Sequence, residues 1–409
     1  MECHFSLALH AELIVPKPCD VLLSVDVKDR LCKMKLFLKL FISICVVTEL
    51  FQTLSAAVQT AIVGKTGIKP PVLNRSVFTI VRFLNIPCSS LNGQLTGICY
   101  SLSDCVRMQG TQVGTCASGF GVCCIFQRTC GSRTNQNSTH FTNPGYPNPV
   151  SDSSDTVCTL TLLRPPKVPI CQVRLDFLDF AIANPTDGDC LDDKFTVQGN
   201  NLNAPVPTLC GRNTGQHVYL DVDNSIAPIL LTVSTKGLGS RTWNIRTSYI
   251  ECANPSRAPP NCLQYYTGLE GRFSSFNYVQ EESSVASGGY LNNLNYAICF
   301  RKEVGRCTQT YTAENIDSFI ILNLNPNNSP TVGGGEAGLG IAECPADYLR
   351  LEGDRYCGAR LNPSTSGRNP TISEPVTDNS SGPFIASFRT DSANNVLGFN
   401  LQYRQNPCS

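Results

Sequence analysis

At 409 residues the chain is long enough for two or three domains. Its 32 basic and 32 acidic side chains cancel and charged residues are only 16% of the total, so no broad field favours nucleic acid or an anionic membrane. Twenty-two cysteines without one Cys-x-x-Cys pair argue against zinc-ribbon and thioredoxin-like sites and point to an oxidising, extracellular setting.

Taken in chain order, Met34 to Ala57 reads as a signal peptide. Lys35 and Lys39 give a basic start, Leu36 to Val47 is mostly apolar, and Ser55 with Ala57 offers a small-x-small cut before Val58. A signal peptide begins a chain, so residues 1–33 are read as an extension outside the true protein. The cut removes Cys3, Cys19, Cys32 and Cys45 and leaves eighteen cysteines, three groups of six. No second apolar span of transmembrane length follows, so no membrane span is expected in the mature chain. Residues 58–87 form a linker.

Residues 88–124 hold the first six: Cys88, Cys99, Cys105, Cys116, Cys123 and Cys124. Fewer than forty residues bury little apolar surface, and three disulfides would supply what the core lacks. Cys88, Gly97-Ile98-Cys99, Cys105, Cys116 and Gly121-Val122-Cys123-Cys124 resemble a clip-type domain of arthropod secreted proteins. That resemblance implies Cys88–Cys123, Cys99–Cys116 and Cys105–Cys124. Arg128, just beyond, is a candidate processing point.

Residues 130–252 alternate apolar and polar side chains. Val173, Leu175 and Phe177 face one way, Arg174 and Asp176 the other. The pattern returns at Val218, Leu220 and Val222, at Ile229, Leu231 and Val233, and at Trp243 and Ile245. Period two in short runs between Pro, Gly, Asn and Asp reads as half-buried strands of an antiparallel β-sandwich. Asn143-Pro144-Gly145-Tyr146-Pro147, the Phe177–Phe180 strand, Cys190-Leu191-Asp192-Asp193 and Cys210-Gly211 resemble, in that order, a CUB domain. The resemblance implies Cys130–Cys158 and Cys190–Cys210. Cys171 and Cys252 are extra, and their strand-like flanks make them a natural third pair.

A Pro-rich joint, Asn254-Pro255 to Pro259-Pro260, leads to residues 262–408, where the same features recur. Cys344-Pro345-Ala346-Asp347, Cys357-Gly358 and the run from Phe388 through Asp391 to Tyr403 again resemble a CUB domain. By position the expected pairs are Cys262–Cys299, Cys307–Cys408 and Cys344–Cys357. Segments 323–343 and 362–383 are long, polar and rich in Gly, Pro and Asn, and read as surface insertions. Sequons at Asn74, Asn137, Asn327 and Asn379 are glycosylation candidates.

The fold expected is therefore all-β: two disulfide-bonded, CUB-like jelly-roll sandwiches behind a small clip-like knot. Chemistry has few places to sit. A Ser-His-Asp triad needs a histidine base, and after residue 58 only His140 and His217 remain. Neither has protease context, and His217 reads as a surface or turn residue. The chain is not expected to be an enzyme. Many CUB domains hold calcium through one Glu and two Asp. Here Asp193 meets one Asp position of the first sandwich, but Ala183 and Lys236 stand at the others. In the second, Asp347 and Asp391 meet both Asp positions and Leu322 falls at the Glu position. Calcium, if any, is expected at Asp347 and Asp391.

The resemblance implies a secreted, non-catalytic protein that recognises extracellular proteins or glycans through sandwich-end loops. An accessory role in a proteolytic or immune pathway would fit. The alternative is a structural component of extracellular matrix or cuticle. No nucleic-acid partner is expected.

Overall fold

A computed structural model describes residues 82–90, 95–151, 153–166, 168–202, 204–222, 227–279, 288–363 and 371–408. The extension 1–33, the signal peptide 34–57, Asn74 and most of the 58–87 linker lie outside the described residues. Residues 80–409 form one compact unit, nearly all β.

The knot contains β1 (Pro87–Ser89), β2 (Thr96–Tyr100), helix α1 (Leu102–Arg107), β3 (Thr111–Cys116) and β4 (Gly121–Arg128). Ser101 caps α1, its Oγ accepting the Asp104 amide at 3.1 Å. Among the described residues the apolar centre is Cys105, Val122, Cys124 and Phe126, with Tyr100 and Met108 packed against it. Disulfide Cys105–Cys124 lies in this centre, and Cys88–Cys123 and Cys99–Cys116 tie the strands around it.

The first sandwich contains β5 (Arg133–Thr134), β6 (Thr139–Thr142), β7 (Thr156–Leu162), β8 (Ile170–Ala181), β9 (Lys194–Gln198), β10 (His217–Asp221), β11 (Ile229–Thr235) and β12 (Thr242–Glu251). One sheet runs β1-β2-β4-β6-β12-β8-β10, with β3 on β4; it faces β5-β7-β11-β9. The alternation explains the core. Val173, Leu175, Phe177, Val218, Leu220, Leu231, Val233 and Ile245 are fully buried between the sheets. Disulfides join Cys130 to Cys158, Cys171 to Cys252 and Cys190 to Cys210.

The knot is not a separate bead. The first half of β4 pairs with β2 and β3. Its end, Phe126–Arg128, pairs in parallel with Thr139–Phe141 of β6. A boundary between 124 and 130 therefore cuts a continuous strand. The sandwich sheet would otherwise expose the open ladder of β6, and β4 covers it. This corrects the reading of Arg128 as a processing point. Arg128 is the last residue of β4, and its guanidinium donates to the carbonyls of Met108, Gln109 and Gln127.

The second sandwich contains β13 (Cys262–Tyr266), β14 (Glu270–Ser274), β15 (Asn295–Phe300), β16 (Arg306–Thr312), β17 (Phe319–Ile320), β18 (Ala337–Leu339), helix α2 (Gly340–Glu343), β19 (Tyr348–Leu351), β20 (Asp354–Gly358), β21 (Val376–Asp378), β22 (Phe384–Arg389) and β23 (Gly398–Pro407). Sheet β13-β15-β22-β19-β20-β18 packs on β14-β23-β16-β21. Phe273, Phe300, Tyr311, Phe399 and Tyr403 meet in edge-on or tilted ring contacts between them. Disulfides join Cys262–Cys299, Cys307–Cys408 and Cys344–Cys357.

Three details depart from the sequence reading. Pairings β4–β6, β5–β7 and β13–β15 are parallel within otherwise antiparallel sheets. Segments 323–343 and 362–383 are not mere insertions. They supply β18 on β20 and β21 on β16, with 364–370 outside the described residues. Turn-forming composition hid strands only three residues long.

Third, the Pro-rich joint is packed. Gln172 donates to the Ala258 carbonyl at 3.0 Å and accepts its amide at 2.9 Å. Tyr219 and Ile250 share a small apolar cluster with Ala258, Cys262, Tyr265 and Cys299. Asn213 Oδ1 accepts the Asn277 amide, and Asn277 Oδ1 accepts the Arg212 amide, each at 2.9 Å. Gly211 has φ +74°, and a Cβ there would lie 2.0 Å from Asn277 Oδ1. Its counterpart Gly358 has φ +86°, with a Cβ 2.5 Å from the Glu336 carbonyl oxygen. The Gly of each Cys-Gly pair thus serves both a left-handed turn and a close approach.

Candidate functional site

The loops at the sandwich ends hold the acids singled out in the sequence. In the first sandwich, β8 ends and its loop runs through Ala183 to Asp193, the residue just before β9. The β11–β12 loop brings Lys236 to Arg241 beside it. Arg241 Nε and Nη2 donate to the two oxygens of Asp193 at 2.8 and 3.0 Å. Nη2 also donates to the Lys236 carbonyl at 2.8 Å, and Nη1 to those of Gly237 and Gly239 at 2.9 and 3.0 Å. These five contacts match the five N–H donors of a guanidinium.

Asp193 is also filled. Its oxygens accept the amides of Ala183 at 2.8 Å and Lys236 at 3.1 Å. The Arg241 and Asp193 side chains are 2% and 0% exposed. Ala183 and Lys236, the positions lacking carboxylates, therefore contribute backbone N–H groups. A side-chain cation occupies the centre of this end. The sequence reading missed Arg241: an arginine in a Gly-rich loop normally faces solvent, and nothing local turns it inward.

At the second end, Tyr290 Oη donates to Asp347 Oδ2 at 2.6 Å, and the Asp391 amide donates to Oδ1 at 2.6 Å. Asn323 fixes this turn. Its Oδ1 accepts the amides of Ala346 and Asp347 at 3.0 and 2.9 Å, and its Nδ2 donates to the Asp347 carbonyl at 2.7 Å. Asp391 is exposed and bonds locally to the Ala393 amide. Burial pushes the Asp347 carboxyl up to about 6, against the lowering effect of its two hydrogen bonds.

The structure thus brings Asp347 and Asp391 together, but the donor set fits calcium poorly. Calcium takes six to eight oxygens, several of them anionic. Leu322 stands at the third position, and both Asp347 oxygens already accept hydrogen bonds. Among the described residues, no three His, Cys, Asp or Glu side chains converge as metal ligands. We expect the thermal midpoint to be the same in excess chelator as in millimolar calcium. Calorimetry measures it, because the sole tryptophan, Trp243, lies in the first sandwich and not beside this site. A calcium-dependent rise of several degrees would show that this donor set binds the ion after all.

Among the described residues, both histidines bond to amide or backbone groups and neither to a hydroxyl. His140 Nε2 lies 2.8 Å from the Thr96 carbonyl oxygen and Nδ1 2.9 Å from Asn244 Oδ1. His217 is not a surface residue, as its sequence context suggested. It is 6% exposed, in β10, with Nε2 against the backbone of Tyr265. The glycosylation candidates Asn137, Asn327 and Asn379 are exposed. Asn137 Oδ1 accepts the Tyr249 amide at 2.9 Å, whereas Asn327 sits on an open turn.

Residues 259–406 match the animal CUB domain. Among solved structures, the CUB1-EGF-CUB2 domains of rat MASP-1 align at 16% identity over 67% of this chain and 99% of that one, with a TM-score of 0.22. The CUB1-EGF-CUB2 domain of human MASP-1/3 aligns at 16% identity over 66% and 100%, TM-score 0.23. The full extracellular region of zebrafish Gpr126/Adgrg6 aligns at 12% identity over 68% of this chain and 34% of that chain, TM-score 0.24. No curated protein matched the chain. Among the described residues, no helix is long and apolar enough to cross a membrane.

Proposed function

We propose that the chain is a secreted, non-catalytic binding protein that recognises an extracellular protein through the loop end of its first sandwich. The carrying observation is the Asp193–Arg241 lock. It fixes two loops from different strands without a metal, and those loops hold Leu191 and Leu238 at 56% and 83% exposure. Rigid loops with apolar tips bind at lower entropic cost than mobile ones. We read residues 130–252 as a second CUB-like domain, on the strength of its Cys-x-x-Asp strand start, its Cys-Gly turn and its paired sheets. The all-β, disulfide-rich build supports an extracellular setting. A role as accessory factor in a proteolytic or immune pathway fits this reading, with glycans as the other ligand class.

The test is capture from extracellular fluid of the source. Wild-type chain is compared with a Leu191→Asp/Leu238→Asp variant, each with and without chelator. A protein partner retained in chelator and lost at least tenfold in the variant supports the reading. Equal recovery by both chains overturns it. Recovery of the chain itself from insoluble matrix would favour a structural role, which the packed joints of knot and sandwiches also suit.

A further inference from the structure

One row of side chains crosses the outer face of the first sandwich's larger sheet. His140 on β6 is in register with Arg246 on β12. Arg246 is opposite Asp176 on β8, and Asp176 is opposite His217 on β10. Directly opposed residues share a face, so the four lie in line. Asp176 anchors the middle. It accepts Arg246 at 2.8 Å on one oxygen and Arg174 at 2.7 Å on the other. The two ends of the row are the two joints. His140 reaches Thr96 of the knot, and His217 reaches Tyr265 of the second sandwich.

The two histidines differ in what a proton would do. His140 has an oxygen beside each ring nitrogen, so an imidazolium could donate to both. His217 accepts the Tyr265 amide at Nε2, 3.1 Å away. A protonated Nε2 cannot accept: its proton would turn to the Tyr265 carbonyl oxygen, 3.0 Å away, and the buried Tyr265 N–H would be left without its acceptor. Of the charges facing His217, Arg174 opposes a proton more than Asp176 favours one. Arg174 on β8 is already cationic, and Asp176 is shared between two arginines. On its own strand the neighbour is the Tyr219 ring, at 5.7 Å; from β13 it is the Tyr266 ring, at 4.8 Å. Beyond Tyr265, Arg301 and Glu303 pair with each other at 2.8 Å.

We propose that the seam between the sandwiches is an acid-sensitive joint and that protonation of His217 opens it. Burial, and then Arg174, hold the His217 ring down at about 4, below its ordinary 6.5. The sign follows. Closed-state stability is fully present above pH 6.5 and is lost as pH falls from there toward 4, because the open state binds the proton first. With those two values, the open-to-closed ratio at pH 4.5 is roughly 80-fold that at pH 8. Burial also holds the His140 ring below its ordinary value, but there each ring nitrogen keeps an oxygen to donate to, Thr96 O and Asn244 Oδ1.

Hydrogen exchange of the purified chain between pH 8 and pH 4.5, corrected for intrinsic rates, tests this. We expect protection of the segments around Ala258 and Gln264–Tyr266 to fall by roughly 80-fold, while β7 and β11 keep theirs. His140→Gln should leave that fall in place, and His217→Gln should remove it. Because His217→Gln could itself loosen the seam, the ring of His217 in the unmutated chain is also titrated by NMR, with His140→Gln for assignment. A His217 midpoint near 6.5, a pH-independent seam, or equal loss of protection across both sandwiches overturns the proposal.

Discussion

Replacing Arg241 with methionine is expected to destabilise the first sandwich by about 3–5 kcal/mol, the range for breaking one partner of a buried ion pair. The cost comes from what stays behind. Asp193, 0% exposed, would be left with only two backbone amides as partners. The carbonyls of Lys236, Gly237 and Gly239 would lose their donors in the same step. Methionine fills most of the volume, so cavity formation contributes little. Urea unfolding followed by Trp243 fluorescence measures the loss. The pair Asp193→Leu/Arg241→Met should recover part of it, since removing both charges abolishes the uncompensated one. A loss below about 1 kcal/mol in the single variant would place the guanidinium in water rather than in the loop lock.

Replacing Cys307 and Cys408 with serine is expected to cost about 4–5 kcal/mol, and the equivalent change at Cys344 and Cys357 about 3 kcal/mol. The two bonds close very different loops, with sequence separations of 101 and 13. The longer one removes more freedom from the unfolded chain. In the folded state it adds little, because the strands carrying the two cysteines already pair, Gln309 opposite Gln405 and Thr310 opposite Arg404. The ordering of the two variants in chemical denaturation checks the idea. If the short-loop variant proves the less stable, contacts around the buried Cys344–Cys357 sulfurs outweigh loop entropy.

These two results concern one chain that exposes its parts to sequence reading very unevenly. The strands of the first sandwich were legible because burial on one face demands period two. Val173, Leu175 and Phe177 are 0% exposed, as their alternation with Arg174 and Asp176 requires. The Cys-Gly pairs were legible for a related reason. Gly211 and Gly358 occupy left-handed backbone where a side chain would collide. The grouping of cysteines in sixes also carried through, since every disulfide among the described residues stays within its group.

The candidate site was only half legible. Asp193, Asp347 and Asp391 could be named because they open or follow strands in a recognisable order. Their partners could not. Arg241 is 48 residues from Asp193, and Tyr290 is 57 from Asp347. A hydrogen bond between distant residues leaves no periodic trace in either segment. The same holds for His217, which alternates with the core residue Val218 and so faces away from the first core, and whose burial is imposed by the second sandwich docking on β10.

By itself, the sequence determined the all-β class, the inward faces of the strands and the division of cysteines, because each follows from local spacing. The tertiary structure alone decided that β4 welds the knot to the first sandwich. It also decided that Arg241 supplies the charge at the first loop end and that the two histidines stand at the two joints. Those outcomes depend on which distant edges and loops meet, and on the strong demand that buried polar groups find partners once they do.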